Sequence, residues 1–155
     1  MVVMADDGVS GGTGESAAFS TFRTGQPVEE RDNPGARSRV TVLNMTRSTV
    51  LATRAQLALS AATRARGLLG RTSLEEGEGL VIRPCKGVHS FGMKFAIDVA
   101  YVDRAGVVVC VLAPLLPGKA GPMMREASWV VELPEGALAR TGTVIGDRLQ
   151  VFYCK

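Results

Sequence analysis

The residues best suited to chemistry lie in one short segment of the chain. Its one histidine, His89, lies four residues after Cys85, and Asp98 lies nine residues further on, within an apolar stretch. A cysteine beside a histidine can form a thiolate nucleophile with its base, or half of a zinc site. In a straight strand, residues four apart are separated by about 13 Å, too far to meet. Only a turn at Pro84 or Gly87 would join them, so a hydrolytic enzyme or a metal site is kept as the alternative function.

The cysteines and the histidine do not form a recognisable metal motif. Zinc sites use at least three protein ligands. A site built on Cys85 and His89 would need Asp98, Cys154 or Glu132 as well, and none of these lies at the spacing of a known zinc motif. The chain has three cysteines, an odd number, and no Cys-x-x-Cys pair, which also argues against a disulfide framework. We predict no metal and no cofactor, and we expect His89 to satisfy hydrogen bonds within the domain.

The aspartate needs a partner of its own. Strand interiors disfavour Asp, and a buried carboxylate requires a cationic or amide partner. Arg66 and Arg71 lie on one side of a predicted helix, and we predict that one of them pairs with Asp98 and clamps the helix to the sheet. The same groups could instead form a polar pocket, in which arginines bind a carboxylate or phosphate through two hydrogen bonds. The candidate ligand-binding residues are Arg66, Arg71, His89, Met93, Lys94 and Asp98.

These side chains must be positioned by a domain that consists mostly of strands. Apolar residues from Leu57 to Leu69 recur at helical spacing and predict one helix over residues 60–69, ended by Gly70. Short β-favouring runs separated by turn residues predict the strands. The pattern indicates an α+β domain, a small, curled, barrel-like and mostly antiparallel sheet with one main helix. The predicted strands are 40–44 and 49–53 as a hairpin, then 79–82, 88–93, 97–103, 107–112, 129–133 and 148–153.

Several short motifs in a fixed order resemble one known family. From about Val40 to Phe152 the chain is similar to the bacterial and archaeal family catalogued as domain of unknown function one hundred and ninety-two, in its His-x-Phe-Gly-Met subtype. It departs from many members at Ala96, where they place a proline. The resemblance implies a β-rich, barrel-like domain, and because the family has no established activity it implies no catalytic residue. The motifs are Arg66 to Arg71, Gly79-Leu80, His89 to Asp98, Val131 to Gly136, and Gly146-Asp147.

Composition divides the chain into two parts. Residues 1–38 are rich in Gly and Ser and carry six acidic and three basic side chains, a net charge of −3. Because the whole 155-residue chain has a charge of +3, the remainder carries +6. Such a first segment cannot bury enough apolar area to offset backbone ordering. We predict a disordered acidic tail over residues 1–38 and a single β-rich domain over 39–155.

Charge and hydropathy exclude several classes of function. The basic residues are scattered and aromatic residues make up only 5% of the chain, which argues against nucleic-acid binding. The longest apolar run, residues 107–116, is too short to span a membrane, and the first 20 residues lack the apolar core of a signal peptide. A cytoplasmic location with reduced thiols is therefore expected. We predict a non-catalytic binding module for a small anion, a peptide or a protein partner, with its pocket near His89 to Asp98.

Removal of residues 1–38 is expected to leave the Tm of the protein unchanged within a few degrees, because their composition gives them little apolar area to bury. Thermal unfolding of the full chain and of the truncated chain, followed by circular dichroism, checks this expectation. A large fall in Tm would show that the segment docks on the domain.

Overall fold

The computed structural model describes residues 39–154, so the predicted disordered tail lies outside the described residues. They form seven strands and two short helices. In chain order these are β1 (Arg39–Asn44), β2 (Thr49–Ala58), α1 (Ala61–Arg66), β3 (Glu78–Ile82), β4 (Ile97–Val102), β5 (Val108–Leu115), β6 (Trp129–Pro134), α2 (Ala137–Thr141) and β7 (Leu149–Tyr153).

All seven strands belong to one sheet in the order β5-β4-β6-β3-β2-β1-β7. The β2–β3 pair is parallel and the other pairs are antiparallel. The sheet curls until its two edges meet at one end, where Val107 bridges Arg148, but it does not close along its length. The predicted α+β domain with a mostly antiparallel sheet is confirmed, and the description as barrel-like fits only loosely.

Most of the predicted strands are present, and one is not. The hairpin of β1 and β2 forms around the turn at residues 45–48, as predicted. The strand predicted over residues 88–93 is wrong, because Gly92 there has a φ of 79° and breaks the extended backbone. The segment is tied instead to a second irregular segment. Ser90 N donates to Lys119 O at 2.8 Å, and His89 bridges Ala120.

The predicted helix over residues 60–69 is too long. Leu57 belongs to β2, and α1 begins after Ser60, whose side chain accepts a hydrogen bond from Thr63 N at 3.2 Å. The helix ends at Gly67, where φ is 48° and the N–H bonds back to Thr63 O, three residues before the predicted terminator. A second short helix, α2, was not predicted. The domain therefore has two short helices rather than one main helix.

The two faces of the sheet support two apolar layers. The first layer packs α2 against the sheet and includes Val131 and Leu133 of β6. The second layer includes Val130 of the same strand, together with Leu68 from the turn after α1. Successive residues of a strand point to opposite faces, so Glu132 shares the face of Val130 and belongs to the second layer. Strand β6 is thus buried on both sides.

Asp98 is buried on the first layer's face of β4, with 1% of its surface exposed. Its Oδ2 accepts a hydrogen bond from Leu138 N at 2.9 Å, at the start of α2. The predicted pairing of Asp98 with Arg66 or Arg71 is therefore wrong. Arg66 ends α1 and Arg71 lies in the segment after it, whose Leu68 packs in the other layer, and Arg71 pairs with Glu78 at 2.7 Å.

Asp98→Ala is expected to destabilise the domain by about 1–3 kcal/mol, because it leaves the buried Leu138 N–H without an acceptor. Asp98→Asn keeps an acceptor oxygen and should cost less. Urea unfolding measures the free energy of unfolding of both variants. The control is Lys94→Ala, at an exposed side chain four residues before Asp98. Equal and negligible losses in the two Asp98 variants would contradict the role of this hydrogen bond.

Candidate functional site

An open cleft of about 480 Å³ lies on the second layer's face of the sheet. One wall consists of α1 and the turn after it, and the other consists of residues 84–89 with Met93 and Met123. The sheet supplies Ile82 and Glu132 at the base. This volume falls within the range of about 300–1,000 Å³ that is usual for small-molecule sites.

Backbone hydrogen bonds hold the second wall in place. Cys85 N donates to Ser128 O at 3.1 Å, Met124 N donates to Lys86 O at 2.7 Å, and Gly121 N donates to Val88 O at 2.9 Å. These bonds join residues 85–88 to the segment that carries Met123. Gly87 lets that methionine approach closely, since a Cβ atom at position 87 would lie 3.2 Å from its Sδ. The wall is therefore a pair of irregular segments fixed through their main chains.

Three cationic side chains line the cleft: Arg64, Arg66 and Lys86. Arg66 and Lys86 are exposed, whereas Arg64 is half-buried and its Nη1 donates to Leu59 O. Within residues 39–154, none of the three forms a salt bridge with an acidic side chain. The two arginines lie in the last turn of α1, where positive charge also favours the helix dipole. The rim of the cleft is thus positively charged.

Glu132 at the base of the cleft is the residue that sequence reasoning missed. It is 4% exposed, and its Oε2 has no hydrogen-bond partner within residues 39–154. Its direct neighbours across the sheet are Leu80 and Val99. Burial in this apolar layer raises the pKa of Glu132 to about 7. The signal in the sequence was a lone acidic residue inside the apolar run of β6, where we considered it only as a remote zinc ligand.

Cys85 and His89 line the same cleft but do not form a catalytic pair. The Cys85 Sγ donates to Gly87 O at 3.1 Å and makes no hydrogen bond to the imidazole. Burial raises the pKa of the Cys85 thiol, and the Glu132 carboxylate adds to this shift, so the thiolate is disfavoured. The His89 ring is stacked on Phe91 with 5.0 Å between centroids. In the described part of the chain, no group of three His, Cys, Asp or Glu side chains could hold a metal ion.

The cleft contains three of the six predicted ligand-binding residues. Arg66, His89 and Met93 line it, whereas Arg71, Lys94 and Asp98 do not. Arg71 is engaged with Glu78, and Asp98 lies on the opposite face of the sheet. Lys94 is exposed outside the cleft.

The fold and this cleft define a class of small α+β proteins with an open, mostly antiparallel sheet. The chain belongs to the Uncharacterized ACR family, also called DUF192, whose profile matches residues 42–151. No protein of curated function matches the chain closely enough to count as a relative. Among residues 39–154, no helix is long and apolar enough to cross a membrane.

Two solved structures are similar to this domain. A protein of unknown function from Novosphingobium aromaticivorans DSM 12444 has a TM-score of 0.65 and 25% identity, over 90% of this chain and 99% of that one. A protein from Sinorhizobium meliloti 1021, whose assignment as a transcription regulator is provisional, has a TM-score of 0.62 and 20% identity, over 75% of this chain and 94% of that one. The second likeness concerns the fold alone.

The buried carboxyl predicts a pH dependence of stability. The folded-state pKa of Glu132, about 7, lies above its ordinary value of 4.5. Between these values the unfolded state loses its proton first, so the free energy of unfolding should fall as pH rises. From pH 5 to pH 8 the loss due to Glu132 should be roughly 2–3 kcal/mol.

Urea unfolding of the wild type and of Glu132→Gln at the two pH values isolates this contribution, because the other groups titrate in both proteins. In the variant, the part of the fall in unfolding free energy that is due to Glu132 should be absent. An identical pH dependence in both proteins would show that the carboxyl is not held in its neutral form.

Proposed function

We propose that the domain is a non-catalytic binding module for a small organic anion, held in the cleft between α1 and residues 84–89. The carrying observation is the positive rim around a cleft with largely apolar walls. Arg64, Arg66 and Lys86 supply the charge. The apolar surface comes from side chains such as Leu69, Met93 and Met123.

The chemistry of the rim favours a carboxylate or a phosphate monoester. Arginine can bind either anion through two parallel hydrogen bonds, and lysine adds a point charge. Methionine side chains are flexible and polarizable, and they suit an apolar body of variable shape. A ligand with an anionic end and an apolar body would therefore use both features of the cleft.

Two observations favour binding over catalysis. The thiol of Cys85 is held by Gly87 O rather than by a base, and the raised pKa of Cys85 keeps it protonated. The His89 imidazole stacks on Phe91, which is 54% exposed. A cysteine nucleophile requires a base within hydrogen-bond reach of its sulfur, and the Cys85 thiol bonds to Gly87 O instead.

Hexanoate and hexyl phosphate are suitable probes, with hexanol as the neutral comparison. Isothermal titration calorimetry should show that at least one of the two anions binds and that hexanol binds more weakly. Arg64→Gln combined with Arg66→Gln should weaken anion binding by about tenfold or more, because charge-assisted hydrogen bonds are lost.

Arg104→Gln is the matched control, since Arg104 is exposed and lies beside a different surface depression. Preference for hexyl phosphate over hexanoate would assign phosphate esters as the ligand class, and the reverse preference would assign carboxylates. Equal affinity for hexanol and the anions would contradict the proposal, and so would a loss of anion affinity in Arg104→Gln as large as that in the double variant.

A further inference from the structure

We propose that the ligand of this cleft also carries a primary ammonium group, which binds the carboxyl of Glu132 at the base. This inference rests on the proposed function, since it assigns a second group to the same ligand. The ligand class is then a small zwitterion, with its anionic end at the rim and its ammonium end pointing inward.

The first reason is the unsatisfied carboxyl. Buried polar groups in proteins nearly always have hydrogen-bond partners, and a missing partner destabilises the fold. The Oε2 of Glu132 is buried and has no partner in the described residues. The side chain is only 4% exposed, and it lines the cleft. An ammonium group offers three donors and a compensating charge.

The second reason is that Glu132 cannot leave its position. Strand β6 lies between β4 and β3, and Glu132 is in register with Val99 on one side and Leu80 on the other. Residues on both sides of it along the strand are buried in the first layer. The backbone is therefore fixed, and the donor must come to the carboxyl.

The third reason is the distribution of charge. Three cations lie at the rim, and one acidic group lies at the base of the same cleft. A zwitterion with its ammonium end inward matches this polarity, whereas the opposite orientation would place like charges together. A simple amine would satisfy the base but would be opposed by the rim.

The titratable groups around Glu132 are few. The Cys85 thiol and the Tyr101 hydroxyl both interact electrostatically with its carboxylate, and Arg64 lies near Cys85. Tyr101 Oη already donates to Pro122 O at 3.1 Å, and the Cys85 Sγ donates to Gly87 O. Neither neighbour supplies a donor to Glu132, which leaves that role to a ligand.

The test compares ω-amino acids with the matching carboxylates that lack the amine. The probes are 4-aminobutanoate, 6-aminohexanoate and 8-aminooctanoate, each measured against butanoate, hexanoate or octanoate by calorimetry at pH 7. For at least one chain length, the amine should increase affinity by about tenfold or more, since a charge-assisted hydrogen bond forms in an apolar environment.

Glu132→Gln should abolish this gain while preserving the volume of the side chain. Glu135→Gln, at an exposed position just after β6, is the control and should retain the gain. In the wild type the gain should shrink about tenfold for each pH unit below 7, because one proton must leave before the ion pair forms.

The outcomes separate this inference from the proposed function. If the carboxylates bind and the amine adds nothing at any length, the ammonium assignment is overturned and anion binding stands. An amine-dependent gain that persists in Glu132→Gln also overturns it. If neither carboxylates nor amino acids bind, and hexyl phosphate fails too, both proposals are wrong.

Discussion

Strand β6 lies between β4 and β3 and is buried on both of its faces, so each of its side chains must be accommodated by an apolar layer. Trp129, Val131 and Leu133 meet this constraint in the first layer, and Val130 meets it in the second. Glu132 does not. The cleft lies over this exception, because α1 and the two irregular segments surround the second layer's face of the sheet at Glu132.

The domain contains two buried acidic residues near the centre of the sheet, and their surroundings give them different roles. Asp98 accepts a hydrogen bond from the first turn of α2 and so joins a helix to the sheet. Glu132 lies on the neighbouring strand and on the opposite face, in the second apolar layer. A buried carboxyl with a hydrogen-bond partner stabilises a fold, whereas one without a partner and with a raised pKa marks a candidate functional site.

The sequence predicted the strands well because their signal is local. Alternation and β-branched residues were enough to locate the hairpin of β1 and β2 and the strands from β3 onward. The helix was predicted too long because Leu57 fits both a helical stripe and the end of a strand. The segment 88–93 has strand-like composition, but its main-chain hydrogen bonds to another segment go to residues 118–121, a pairing that no local pattern encodes.

The candidate site was harder to predict, since it depends on contacts between distant segments. The partner of Asp98 is a backbone N–H that lies 40 residues away, and a main-chain donor leaves no mark on the sequence. The burial of Glu132 was not predicted, because the sequence does not show that β6 is buried on both faces. Of the two arginines predicted from the sequence, only Arg66 lines the cleft.

The wall of the cleft that carries Met123 is held by main-chain hydrogen bonds that the N–H groups of Cys85, Met124 and Gly121 donate, and the Met123 side chain takes no part in them. Side chains that face the cleft from this wall, such as the 74% exposed Met123, can therefore be exchanged while the frame keeps its shape. Gly121 cannot, because a Cβ atom there would overlap the Tyr101 hydroxyl and the Leu112 side chain. The base, by contrast, is part of the sheet and cannot vary without cost to the core. Under the proposed binding function, such a division would let a change in one surface segment alter the size and shape of the accepted ligand while Glu132 stays in place.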